Sequence, residues 1–173
     1  MLREDVEFIA AHPMAGRELS GVEFSDDTIF KGANYIVVPT EKNTQQTIDF
    51  ICELGKELRF NNICQLSVAE HDKMIGYLSQ LTHVIAVSLM NANDSKDLVQ
   101  YTGDSFRDLT RIAKINENLW TELFLMNKDN LIEQIDTFVA EMNDFKDALE
   151  KEDVDKMKKK FITSTERRRY FDR

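Results

Sequence analysis

The chain has 173 residues, 42% of them hydrophobic, and a formal net charge of -9. That is enough apolar material for one well-packed domain, or for a domain joined to part of another. The acid excess excludes nonspecific binding to nucleic acid or to an anionic membrane surface, since both need a basic field.

In chain order, the opening Met1-Leu2-Arg3-Glu4-Asp5 is charged and is not a signal peptide. No later run is apolar enough to span a bilayer, so a cytoplasmic protein is expected. Residues 6–11 (VEFIAA) predict a strand. His12 and Pro13 end it in a rigid turn, with Gly16 close behind. That turn holds one imidazole at the lip of a sheet. Imidazole titrates near neutral pH, so His12 is a candidate proton acceptor for a substrate hydroxyl; the alternative is a strand cap. Residues 35–38 (YIVV) predict a second strand between Gly32 and Pro39. A helix over 41–58 follows, with Ile48, Ile51, Cys52, Leu54 and Leu58 on one face and Thr40 as its cap. Residues 62–66 form a weaker strand candidate. Cys52 and Cys64, in apolar surroundings, read as buried free thiols, and no Cys or His pair has metal-ligand spacing.

From Ser67 onward the pattern is helical. Ser67-Val68-Ala69-Glu70 is a capping box. The helix behind it runs to about Met90, with Met74, Leu78, Leu81, Ile85 and Leu89 as its stripe; Val84, Ala86 and Val87 widen that stripe. So wide an apolar face predicts burial on more than one side. His71 and Asp72 lie at the start of this helix, where Asp72 favours the dipole and His71 packs, and neither is assigned chemistry. Shorter helices are expected around 95–101, 105–113 and 117–126. Leu131, Ile135, Phe138, Met142, Phe145 and Leu149 then form a heptad seam, read as bundle packing or a dimer contact. Asn127 or Asp129 is expected to start that helix. A last helix from about Asp153 turns Val154, Met157, Phe161 and Ile162 inward; Lys158-Lys159-Lys160 and Arg167-Arg168-Arg169 read as solvated charge complementing the dipole. The expected fold class is therefore α+β, predominantly α.

Three stretches, in this order and at these separations, carry a resemblance. They are the segment from His12 to Gly21, then Glu70-His71-Asp72 with Ser79-Gln80-Leu81-Thr82-His83, then Phe106-Arg107-Asp108-Leu109-Thr110-Arg111-Ile112-Ala113 with Trp120 nine residues on. Together the chain resembles the prephenate dehydrogenase family of tyrosine biosynthesis, from about Val6 to about Trp120 and more loosely to the C-terminus. The resemblance implies oxidative decarboxylation of prephenate to 4-hydroxyphenylpyruvate, with hydride transfer to NAD or NADP. It implies that His12 hydrogen-bonds the ring hydroxyl as the catalytic base. It implies that Arg111 grips a substrate carboxylate through its planar fork and that His83 stands near the substrate. Arg107, one turn before Arg111 and expected on the same face, is a further candidate, with Asp108 as a structural partner for one of the two arginines. Gly16 and Glu18 are placed at the substrate mouth, and Trp120 at the pocket wall. Gln80 stands where many members carry His, and Thr82 where they carry Pro.

A complete member of this family begins with a Gly-rich dinucleotide fingerprint, and no G-x-G-x-x-G occurs among the six glycines here. The resemblance therefore implies residues 1–66 as the C-terminal remnant of a nucleotide-binding domain, and 67–173 as a helical substrate-binding and dimerisation domain. On this reading the chain lacks the phosphate-cradling half of the cofactor site and is inactive alone. A homodimer is the expected assembly. Arogenate dehydrogenase is a close variant. A non-catalytic helical interaction module is the competing class: it explains the heptad seam and leaves the recurring His and Arg order unexplained.

Overall fold

The computed structural model describes residues 3, 5–16 and 21–172, apart from the side chain of Asp27. It divides into two compact units, one ending at Leu131 and the other running from Ile132 to Arg173. In the first unit, three strands form a sheet in the order β1-β2-β3: β1 is Ala10–Met14, β2 Asn34–Val38 and β3 Asn62–Gln65. The central strand β2 pairs antiparallel with β1 and parallel with β3. Its Tyr35, Ile36, Val37 and Val38 are all buried. An unbroken apolar run suits a strand covered on both faces.

A parallel pair needs a crossover, and helix α1, Gln45–Glu57, supplies it between β2 and β3. Tyr35, Val37 and Phe60 form the core, with the Tyr35 and Phe60 rings stacked at 4.6 Å between centroids. Gly55 is the buried residue of α1, and a Cβ there would stand 2.7 Å from the Tyr35 ring. The helix ends in a Schellman motif: Phe60 N–H donates to Gly55 C=O and Arg59 N–H to Lys56 C=O. Arg59 takes the left-handed conformation there, at φ 63°.

Two boundaries differ from the sequence expectation. The first strand is Ala10–Met14 rather than residues 6–11, because the ladder with β2 decides its extent. His12 therefore lies inside the strand and not at its lip. Pro13 is tolerated because β1 is an edge strand. Helix α1 is capped by Thr44, not Thr40, whose backbone N–H and hydroxyl both donate to Asn43 Oδ1. Glu7 accepts hydrogen bonds from the Thr44 N–H and hydroxyl at 2.8 and 2.9 Å, which ties the segment before β1 to the start of α1.

The expected capping box at Ser67 and Glu70 opens helix α2, Val68–Ile75. The single helix expected behind it is interrupted. Gly76–Gln80 forms a wide π turn before α3, Leu81–Asn91. Leu81 N–H reaches back to Gly76 C=O, and the Ser79 carbonyl accepts instead from the side chains of Thr82 and His83. There follow α4 Leu98–Tyr101, α5 Asp104–Thr110, a 3₁₀ turn Arg111–Ala113, α6 Glu117–Met126 and α7 Lys128–Glu150. Gln80, 3% exposed, donates to Leu123 C=O and accepts from Asn127, whose amide also donates to Asp72 C=O. The Gln80 amide thus joins the π turn to the end of α6 and the residue before α7. Asn127, the residue before α7, also accepts at its Oδ1 from the Asn130 amide.

In the second unit, α7 turns into α8, Val154–Arg168, through another Schellman motif with Glu152 at φ 50°. Asp153 caps α8. Lys156 and Lys160 both bind Asp144, and Lys160 also binds Glu141. These hydrogen bonds pull the Asp144 carboxyl down to about 2. Lys160 is thus an ion-paired side chain, where solvated charge was expected. Val154, Phe161 and Ile162, expected to face inward, are each more than half exposed, because a pair of helices has no third element to cover that face.

Candidate active site

Side-chain alternation builds the site. Ala11 and Pro13 of β1 stand opposite Val37 and Tyr35, on the α1 side of the sheet. His12 stands opposite Ile36 and so projects from the other face. On that face its Nδ1 lies 2.9 Å from Nε2 of His71 on α2. His71 Nδ1 in turn lies 2.9 Å from Asp72 Oδ1. Burial, and second the neighbouring His71, push the His12 imidazole below its ordinary pKa. A lowered pKa favours the neutral ring, the form that accepts a proton.

His12 forms one wall of a cavity of about 620 Å³ within the first unit. The turn after β1 continues that wall through Gly16. Ile75, Ser79 and His83 line a second side, one helical row apart each. Arg111, Ile112, Lys114, Asn116 and Trp120 line a third, from the 3₁₀ turn to α6. The Trp120 ring packs on the His83 imidazole at 3.7 Å between centroids, and Phe124 meets the Trp120 edge at 5.5 Å. His83 Nδ1 is 2.8 Å from the Ser79 carbonyl. A carbonyl only accepts, so Nδ1 carries the hydrogen and His83 Nε2 is left as an acceptor. The cavity therefore joins two imidazoles, two cations and an aromatic wall, a set suited to a ring bearing hydroxyl and carboxylate groups.

Of the residues singled out in the sequence, His12, Gly16, His83, Arg111 and Trp120 line this cavity. Arg107 is not among its lining residues. It lies on α5 with its guanidinium 3.2 Å from Asp104, rather than beside Asp108. Helix α5 ends at Thr110, so Arg107 and Arg111 belong to different elements. Glu18 falls outside the described residues. Sequence reasoning missed Lys114 and the contact of His71 with His12. A signal for the second existed: residues 71, 75, 79 and 83 recur every four positions, and the last three line the cavity.

The strand-to-helix turns described here do not form a pyrophosphate cradle. The segment from Val38 to Thr44 contains no glycine, and Glu7 occupies the N-terminus of α1. The start of α2 is closed by its own Glu70.

Residues 1–62 match the family profile described as the prephenate dehydrogenase nucleotide-binding domain, and residues 67–163 match its dimerization domain. The prephenate dehydrogenase of Bacillus subtilis (strain 168) is 29% identical over 167 residues, covering 94% of this chain and 45% of that protein. The prephenate dehydrogenase of Lactococcus lactis subsp. cremoris is 35% identical over 144 residues, covering 80% and 38%. The crystal structure of A. aeolicus prephenate dehydrogenase with hydroxyphenyl propionate and NAD+ superposes with a TM-score of 0.84 at 29% identity, covering 95% of this chain and 59% of that one. The chain thus spans about half the length of the relatives it matches. Both family profiles together, laid over the sheet and the helices that enclose the cavity, make this chain a member of the prephenate dehydrogenase family.

Proposed function

We propose that this chain supplies the substrate-binding and dimerisation part of a prephenate dehydrogenase, which converts prephenate to 4-hydroxyphenylpyruvate and carbon dioxide. The observation that carries this reading is the single cavity holding His12, His83, Arg111 and Trp120. A nicotinamide cofactor held on the nucleotide-binding side would supply the acceptor for the hydride of the ring carbon that bears the hydroxyl. The chain's own residues act on the substrate side. His12 Nε2, left over from the bond to His71, accepts the hydroxyl proton. Arg111 and Lys114 face the two carboxylates, with Arg111 as the bidentate clamp. Trp120 and Ile112 wall the ring, and His83 Nε2 accepts from a substrate donor. At Gly16, no atom of the described residues lies within 4 Å of a Cβ placed there. Arg107 has no part in this reading, since it stands outside the cavity.

Residues 1–66 are assigned to the nucleotide-binding side and 67–173 to substrate binding and self-association. The pyrophosphate-binding turn of such a domain is not among the described residues, so NAD and NADP are equal candidates.

Titration calorimetry of this chain with prephenate and with arogenate tests the reading. One or both dicarboxylates are expected to bind. Arg111→Ala is expected to weaken binding by about 10–100-fold, the loss of one charge-assisted contact of roughly 1.5–3 kcal/mol. Absence of binding by both, or equal binding by the Arg111→Ala variant, overturns it.

A further inference from the structure

We propose that Asp72 and His71 are positioning residues for His12: carboxylate, imidazole and imidazole form one hydrogen-bonded row that keeps the His12 proton on Nδ1 and its Nε2 bare in the cavity. The inference rests on the reading of His12 as proton acceptor.

An ionised carboxylate accepts and does not donate, so the 2.9 Å contact to Asp72 requires a hydrogen on His71 Nδ1. A neutral imidazole carries one N–H, so His71 Nε2 then holds a lone pair. That lone pair faces His12 Nδ1 at 2.9 Å, so His12 Nδ1 is the donor. His12 is left with a bare Nε2, and its ring lines the cavity. The opposite arrangement would set the His71 Nδ1 lone pair against a carboxylate oxygen at 2.9 Å.

The ring planes fit the same picture. The His12 and His71 rings are tilted by 54° with centroids 5.2 Å apart, an edge contact rather than a stack. Burial decreases outward along the row: the His71 side chain is 20% exposed and that of Asp72 44%. When His12 accepts a proton at Nε2, its Nδ1–H still points at His71, and the Asp72 charge answers the new imidazolium through that ring. The Asp72 backbone carbonyl is held by the Asn127 amide, which fixes the root of the row.

Nitrogen NMR of the imidazoles tests this on the chain as it is, because the protein has three histidines. In the wild type, His12 is expected with hydrogen on Nδ1 and bare Nε2, and His71 likewise. Asp72→Ala and His71→Ala are each expected to lose the Nδ1–H preference of His12. His71→Gln places an amide oxygen near the lost Nε2 and is expected to restore it. The His83 signal, set by the Ser79 carbonyl, reports whether each variant keeps the local fold. A wild-type His12 with its hydrogen on Nε2 overturns the proposal. So does an unchanged His12 tautomer in Asp72→Ala. Addition of prephenate separates the two readings. An intact row whose His12 signal ignores the ligand sinks the function and leaves the row. A ligand-shifted His12 without the expected tautomer sinks the row alone.

Discussion

Burial on the face of the sheet opposite α1 holds the His12 imidazole below the ordinary histidine range, and His71 adds to the effect. Two outcomes are expected. By proton NMR, His12 titrates below the ordinary 6.5, and it stays below in His71→Ala, since burial is the larger cause and remains. The unfolded chain binds the His12 proton at the ordinary value and the folded chain only at a lower one. Protonation therefore favours unfolding as pH falls from that value, and stability rises with pH across the window. The melting temperature of the wild type should fall more steeply below neutrality than that of His12→Asn; a wild-type midpoint at or above 6.5 contradicts both outcomes. At this scale much of the cavity was legible in the sequence. His12, Gly16, His83, Arg111 and Trp120 were found through their motifs, and all five line it. His71 was passed over because its partner lies 59 residues away in another element, and only strand register brings the two rings together. Lys114 carries no motif; it reaches the cavity because α5 stops at Thr110 and the chain turns.

Gly55 shows how one residue sets the distance between an element and the sheet. In an open helix, glycine to alanine is favourable by about 1 kcal/mol. Here the new methyl meets the Tyr35 ring at 2.7 Å and Ile63 Cδ1 at 3.0 Å, and the Tyr35 ring is stacked on Phe60. Overpacking of this kind costs about 1–3 kcal/mol, so Gly55→Ala is expected to be net destabilising by up to about 2 kcal/mol. Gly76→Ala, with its nearest neighbour at 3.5 Å, lacks that crowding and serves as the comparison. Urea unfolding checks the pair: a Gly55→Ala midpoint equal to or above wild type refutes the expectation. The same scale shows what patterning can and cannot reach. The capping box at Ser67 is local, and its sequence was enough. The cap of α1 was misplaced by four residues because Thr40 and Thr44 are both plausible caps, and the Asn43 turn and Glu7 choose between them. The π turn at Gly76–Gln80 has no period of its own in the sequence; it is held by side chains of Asn127, Thr82 and His83 from either side.

For the whole molecule, the apolar surface left over is the main observation. On α6, Leu125 and Met126 are 67% and 82% exposed; on α7 and α8, Met142, Leu149, Phe161 and Ile162 are each more than half exposed. Large apolar side chains left exposed on helices suit an interaction surface, and residues 67–163 match a dimerization domain. We expect a homodimer with an interface above about 2,000 Å², the size of obligate contacts. Sedimentation at micromolar concentration should show the dimer, and Leu149→Glu together with Phe161→Glu should shift it to monomer with helical circular dichroism retained. A wild-type monomer under those conditions contradicts the expectation. Along the heptad spacing from Leu131 to Leu149, Leu131 is buried while Met142 and Leu149 are exposed. The exposure of α8 was not legible, because a stripe facing a partner and one facing a core have the same period.

All the imidazoles of the chain stand together. The sequence contains three, and each belongs to the site: His12 and His83 line the cavity, and His71 stands directly behind His12. Every imidazole resonance of the chain therefore reports on the site. A change in those resonances on mixing with a ligand is a change at the two cavity rings or at the neighbour behind them.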